Sequence, residues 1–110
     1  MDRLYVVTRS DLAPGAQLAQ SCHAVSAFAA AFPERHREWH ERGQNLIVLA
    51  VPSERELDNL LESVGTKCGL ACAPFYEPDF CDELTAFAAP GEAAKLLSSL
   101  PLALRAPRAA

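Results

Sequence analysis

The chain has no apolar run near the roughly 18 residues that a membrane-spanning helix needs. Its N-terminal segment, Asp2 and Arg3 followed by only four apolar residues, lacks the shape of a secretory signal, so a cytoplasmic protein with no membrane partner is expected. It also lacks a basic excess. Ten Lys and Arg stand against 14 Asp and Glu, for a net charge of −4. A dedicated nucleic-acid binder usually presents a basic field. Arg35, Arg37, Arg42 and Arg55 do not supply one, because Glu34, Glu38, Glu41 and Glu54 interleave with them as on a solvated helix face. The four cysteines, Cys22, Cys68, Cys72 and Cys81, could make two disulfides, but without a secretory signal they are expected to be reduced thiols. Cys68 and Cys72 have no second pair of ligands beside them. His36 and His40, at i,i+4, lack a third ligand, and Glu38 between them does not stand where the catalytic glutamate of an HExxH pattern would. No metal and no cofactor are expected. There is no internal repeat.

What is present is 110 residues, half of them apolar, which is enough for one domain with one modest core. That domain is expected over residues 1–104, with an Ala/Pro/Arg-rich tail fraying over 105–110. Leu4 to Val7 and Leu46 to Val51 are continuous apolar runs of the kind found in strands buried on both faces. Two further strands are expected over residues 70–76 and 84–89, joined by a short acidic loop. Between them the helical signals are clear. Pro14 opens a helix to about residue 32, whose apolar stripe reads Leu18, Cys22, Val25, Ala29 and Phe32. Pro33 opens a short second helix, docked by Trp39. Ser53 and Glu56 form a capping box for a third, expected to end at Gly65. A last helix spans 92–100. This order predicts an α/β three-layer sandwich, a mixed four-stranded sheet with helices on both faces.

The polar residues collect where the first strand ends. Arg9, Ser10 and Asp11 leave that strand, and Gln20 and His23 lie in the first half of the helix that follows. Open α/β sheets place ligands at the carboxyl ends of their strands and against helix N-termini. His23 has the pKa range of a general base. Glu77 or Asp79, in the loop between the last two strands, offers a carboxylate.

These residues resemble a known family. The stretch Val7-Thr8-Arg9-Ser10-Asp11-Leu12, then Gly15, then Ala19-Gln20-Ser21-Cys22-His23-Ala24, is similar to the N-terminal signature of type 2 peptidyl-tRNA hydrolases. Trp39, the Gln44-to-Val51 segment, Ser53-Glu54-Arg55-Glu56-Leu57 and Thr85 follow in the family's order, and the Phe-x-Glu-Pro-Asp loop resembles its compact bacterial branch. The resemblance implies hydrolysis of the ester of peptidyl-tRNA or a related acylated tRNA, releasing free tRNA, with that RNA as partner and a homodimer as the assembly. It implies catalytic roles for His23, Glu77, Asp79 and Thr85, and substrate-binding roles for Arg9, Ser10, Asp11 and Gln20. The chain departs from the family at two catalytic groups, the aspartate, whose place falls on Glu77 or Asp79 in Tyr76-Glu77-Pro78-Asp79, and a lysine. The turn Ala13-Pro14-Gly15-Ala16 carries no lysine where the family has one. A lysine-free site leaves open a second reading, a non-catalytic hydrolase-like module binding RNA ends, nucleotides or a protein partner.

Overall fold

A computed structural model describes residues 3–105. The tail expected over 105–110 lies outside these residues except for Arg105. Four strands, β1 (Arg3–Arg9), β2 (Asn45–Val51), β3 (Ala73–Glu77) and β4 (Glu83–Pro90), form one sheet in the order β2-β1-β4-β3. β1 and β2 run parallel, with Leu4 opposite Leu46 and Val7 opposite Leu49. β4 runs antiparallel to both β1 and β3. The sheet is therefore mixed, as expected. The carboxyl ends of β1, β2 and β3 and the amino end of β4 meet along one edge.

Helices cover both faces. α1 (Pro14–Ala31) and α2 (Pro33–Glu41) lie on one side, where Leu4, Val6, Ala73, Ala86 and Ala88 of the sheet pack against Ala24, Phe28 and Trp39. Trp39 docks α2 as expected, and its indole N–H donates to the Asn45 carbonyl at 2.8 Å. α3 (Glu54–Leu61) and α4 (Ala94–Leu97) lie on the other side, where Tyr5, Val7, Leu49, Leu84 and Phe87 pack against Leu57, Val64 and Leu97. Ser53 caps α3 by accepting the Glu56 amide. The chain after α4 returns along β2. Ala50 N–H donates to Pro101 O at 3.0 Å and Ala103 N–H to Val48 O at 2.9 Å, which covers part of an otherwise open sheet edge.

Several expectations need correction. The apolar stripe of α1 is not its buried face. Gln17, Gln20, Ser21, Ala24 and Phe28 are buried, whereas Leu18 and Cys22 are exposed, so Cys22 is not core packing. The reason lies in the sheet, which offers α1 small alanines along most of its length but the polar pair Thr8 and Thr85 at the carboxyl edge. Gln20 matches that polar end and an apolar side chain would not. The third helix does not stop at Gly65. It widens into a π-helical turn over Glu62–Lys67, which keeps Val64 in the core. β3 starts at Ala73, three residues late, because residues 68–72 form a loop with Gly69 at φ +67°. The last helix is a 3-10 turn, Gly91–Ala93, followed by four α-helical residues.

Candidate active site

At the shared edge the sequence-predicted residues separate into two groups, one on each face of the sheet. The α1 side holds a relay. Thr85 Oγ1 donates to Gln20 Oε1 at 2.6 Å, and Gln20 Nε2 donates to Glu77 Oε1 at 3.1 Å. A carboxylate only accepts, so this pairing also fixes which end of the Gln20 amide faces Glu77. Thr8 Oγ1 donates to the Thr85 carbonyl at 2.9 Å, joining β1 to the same cluster. Thr8 and Thr85 are fully buried and Gln20 nearly so, while Glu77 is half-buried. Glu77 is therefore the member of the relay that meets solvent, and Thr85 reaches it only through Gln20.

A β-bulge makes this possible. Phe75 pairs with Ala86 but the next residue, Tyr76, pairs with Leu84, so Thr85 is an extra residue on β4. Simple alternation would put Thr85 on the α3 side, opposite to Ala86. The bulge turns Thr85 to the α1 side and leaves Leu84 in the core beneath α3.

His23 is exposed and stacks on Phe75, with ring centroids 4.5 Å apart and planes 19° from parallel. Phe75 and Glu77 are two residues apart on β3, so they share a face about 7 Å apart. Gln20 and His23 are one turn apart on α1. The two contacts, His23 on Phe75 and Gln20 on Glu77, are thus adjacent rungs between helix and strand. Asp79 lies exposed in the 3-10 turn Pro78–Phe80, outside this relay.

The α3 side holds Arg9. Its Nε and Nη2 donate to the two oxygens of Asp11 at 3.0 and 2.9 Å, and Nη1 donates to Glu83 Oε1 at 2.7 Å and to the Leu84 carbonyl at 3.2 Å. Arg9, given a substrate-binding role by the resemblance, has its fork taken up within the protein. The guanidinium hydrogen bond holds the Asp11 carboxyl below its ordinary range, and Asp11 and Glu83 together keep Arg9 charged. Ser10 donates its N–H to the Val51 carbonyl at 2.9 Å. Ser10 and Gln17 line a cavity of about 290 Å³ at the start of α1, closed on its far side by Pro101 to Arg105. No side chain caps the start of α1. A larger groove, about 500 Å³ and mostly apolar, lies between α3 and Leu100–Pro101 and includes none of the sequence-predicted residues. Sequence reasoning missed Thr8, Phe75, Glu83 and Glu54 as participants. Thr8 and Phe75 were accessible through period-two alternation from Val6 and Glu77, but nothing in the sequence links Glu54 to this edge.

In structural terms the class is a three-layer α/β domain that presents a hydrogen-bonded carboxylate and a histidine at the carboxyl edge of a mixed sheet. Within that class, the family model of peptidyl-tRNA hydrolase PTH2 matches residues 3–77, and the chain belongs to that family. Membership carries the activity, hydrolysis of the ester that joins a peptide to tRNA. No curated protein matches the chain. The matched span ends at Glu77, so the Thr85 relay is read from the structure alone. Among the described residues no helix is long and apolar enough to cross a membrane.

Proposed function

We propose that this chain hydrolyses peptidyl-tRNA with Glu77 as the group that orients and deprotonates the attacking water. The observation that carries this reading is the Thr85–Gln20–Glu77 relay, which pins one carboxylate oxygen of a half-buried glutamate. Water oxygen attacks the ester carbonyl carbon as its proton passes to Glu77. The tetrahedral intermediate then collapses, the bond to the ribose oxygen breaks, and that oxygen leaves protonated. His23, held flat against Phe75 beside Glu77, is placed to donate to the ribose oxygen. The α1 N-terminus with Ser10 and Arg105 around the 290 Å³ cavity suits a phosphate of the RNA end. Asp11 takes a supporting role by holding Arg9. The loop Phe75-Tyr76-Glu77-Pro78-Asp79 followed by Leu84-Thr85-Ala86 supports placement in the compact bacterial branch, and a tRNA substrate supports a cytoplasmic site of action.

The test is turnover of purified N-acetyl-aminoacyl-tRNA. Wild-type protein is expected to release free tRNA, and its affinity for tRNA is expected to fall steeply as salt rises. Binding of tRNA without turnover would overturn this reading in favour of a non-catalytic module.

The chain is also proposed to act as a homodimer. Leu18 is 56% and Leu46 44% exposed. With Cys22, Val25 and Val48 they border a small apolar groove beside α1, where no helix covers β2. Such a face on a soluble enzyme calls for a partner. Leu18→Glu is expected to convert a dimer to a monomer in sedimentation velocity. A monomeric wild type at micromolar concentration would end the proposal.

A further inference from the structure

The segment of β4 that carries Thr85 is not held by the sheet ladder on its β1 side. The last β1–β4 pair is Thr8 with Ala86, and residues 83–85 run past it. Buried main-chain groups left without ladder partners must find others. Here they find side chains. The Leu84 N–H donates to Glu54 Oε2 at 2.8 Å, and the Leu84 carbonyl accepts from Arg9 Nη1 at 3.2 Å. Both polar groups of one peptide-bonded residue are therefore gripped by charged side chains from two other elements, α3 and β1. Glu54 is the first residue of α3, a position where an acid ordinarily serves its own helix. Ser53 already caps that helix, and Glu54 instead reaches 30 residues along the chain.

We infer that Glu54 and Arg9 form a clamp on Leu84 that sets the β-bulge, and through it the direction in which Thr85 meets Gln20. Neither residue touches the reacting atoms. Both are positioning residues for Glu77, acting in sequence through Leu84, Thr85 and Gln20. The geometry gives the reason. With Leu84 fixed at its N–H and its carbonyl, the adjacent Thr85 has one orientation, and Thr8 fixes its carbonyl as well. Without the clamp the segment is free to relax toward a regular ladder, in which Thr85 turns to the α3 side and Gln20 loses the donor that orients its amide. Hydrogen bonds to charged groups are the strong kind, and each holds more firmly than a neutral one. The inference rests on the reading of Glu77 as the working carboxylate.

The experiment compares steady-state hydrolysis of N-acetyl-aminoacyl-tRNA by wild type, Glu54→Ala, Glu54→Gln, Arg9→Lys and Glu77→Gln, each checked for folding by circular dichroism. Glu54→Ala is expected to lower kcat on the order of 10- to 100-fold, the scale of a small misplacement at a reacting group. KM is expected to stay within about twofold, because the clamp does not touch substrate. Glu54→Gln retains a carbonyl acceptor for Leu84 N–H and is expected to restore most of kcat. Arg9→Lys keeps the charge but loses the fork, and is expected to lower kcat at unchanged KM. It also supplies a second reading should Glu54→Ala not fold. Wild-type kcat in folded Glu54→Ala and Arg9→Lys, with Glu77→Gln inactive, would overturn the clamp alone. Full activity in Glu77→Gln would overturn the clamp and the catalytic reading together.

Discussion

Glu77→Gln is expected to reduce kcat by about 10²- to 10⁴-fold, the range found when a positioned general base is removed. The substitution is close to isosteric, and its amide oxygen still accepts from Gln20 Nε2, so the relay to Thr85 survives. What is lost is the ability to take a proton from water. The loss therefore belongs in kcat, with KM and thermal stability near their wild-type values. Asp79→Asn provides the internal comparison. Asp79 is exposed in the 3-10 turn and outside the relay, so its loss is expected to change kcat by less than about twofold. An inactive Asp79→Asn with an active Glu77→Gln would transfer the role from one carboxylate to the other. The expectation is sharpened by what the chain lacks. Its two lysines, Lys67 and Lys95, follow α3 and β4 at the amino-end edge of the sheet, away from the relay. No ammonium group stands in the turn before α1 to share the work, so in the proposed mechanism the carboxylate with its amide and hydroxyl supports is expected to carry the step.

Much of this arrangement was legible in the sequence. The run Leu4 to Val7 is apolar without alternation because both faces of β1 are covered, whereas Leu46 to Val51 became the edge strand β2, which is buried only in its second half, Leu49 to Val51. Pro14, Pro33 and the Ser53 capping box marked three helix starts correctly because each acts locally, on the first turn alone. The faces of α1 were misread for the complementary reason. Hydropathy selects Leu18 and Cys22 for the inside, but burial is decided by the sheet surface opposite, which is narrow, alanine-rich and polar at one end. Gln20 is buried because Thr85 and Glu77 satisfy both ends of its amide, a condition set by residues 57 and 65 positions away. The same distance hid the role of Arg9. The resemblance gave it a substrate-binding role. The one-residue bulge at Thr85 instead brings Glu83 and the Leu84 carbonyl to it, on the face away from Glu77. A bulge has no signature in a run such as Leu84-Thr85-Ala86-Phe87, so neither it nor the grip of Glu54 on Leu84 is visible before the strands are paired.

The second large effect is expected at Phe28. Phe28 is fully buried and packs between α1 and the sheet, where its neighbours include Leu4, Val6, Ala73, Ala86 and Ala88. Three of these five are alanines. They permit the helix to approach closely, and they leave Phe28 as the bulky side chain that fills the layer. Its ring also meets Phe32 at a centroid distance of 5.3 Å, in a tilted pairing. Phe28→Ala is expected to cost about 3–5 kcal/mol, toward the upper end because alanines on a paired sheet cannot move inward to close the space. Against the roughly 5–15 kcal/mol that stabilises a domain of this size, such a loss brings the protein close to its unfolding threshold at ordinary temperature. Urea denaturation checks it, with a fall in the midpoint and an unchanged slope. Phe28→Leu leaves a smaller void and is expected to cost less than Phe28→Ala. The consequence for catalysis follows from position. Gln20 lies eight residues before Phe28 on the same helix, about 12 Å along its axis. A helix that has lost its main contact with the sheet holds Gln20 less firmly against Thr85, so kcat in Phe28→Ala is expected to fall more steeply with temperature than in wild type. A cost below about 1 kcal/mol would show that this layer is loosely packed, and the relay would then need its rigidity from the strand side alone.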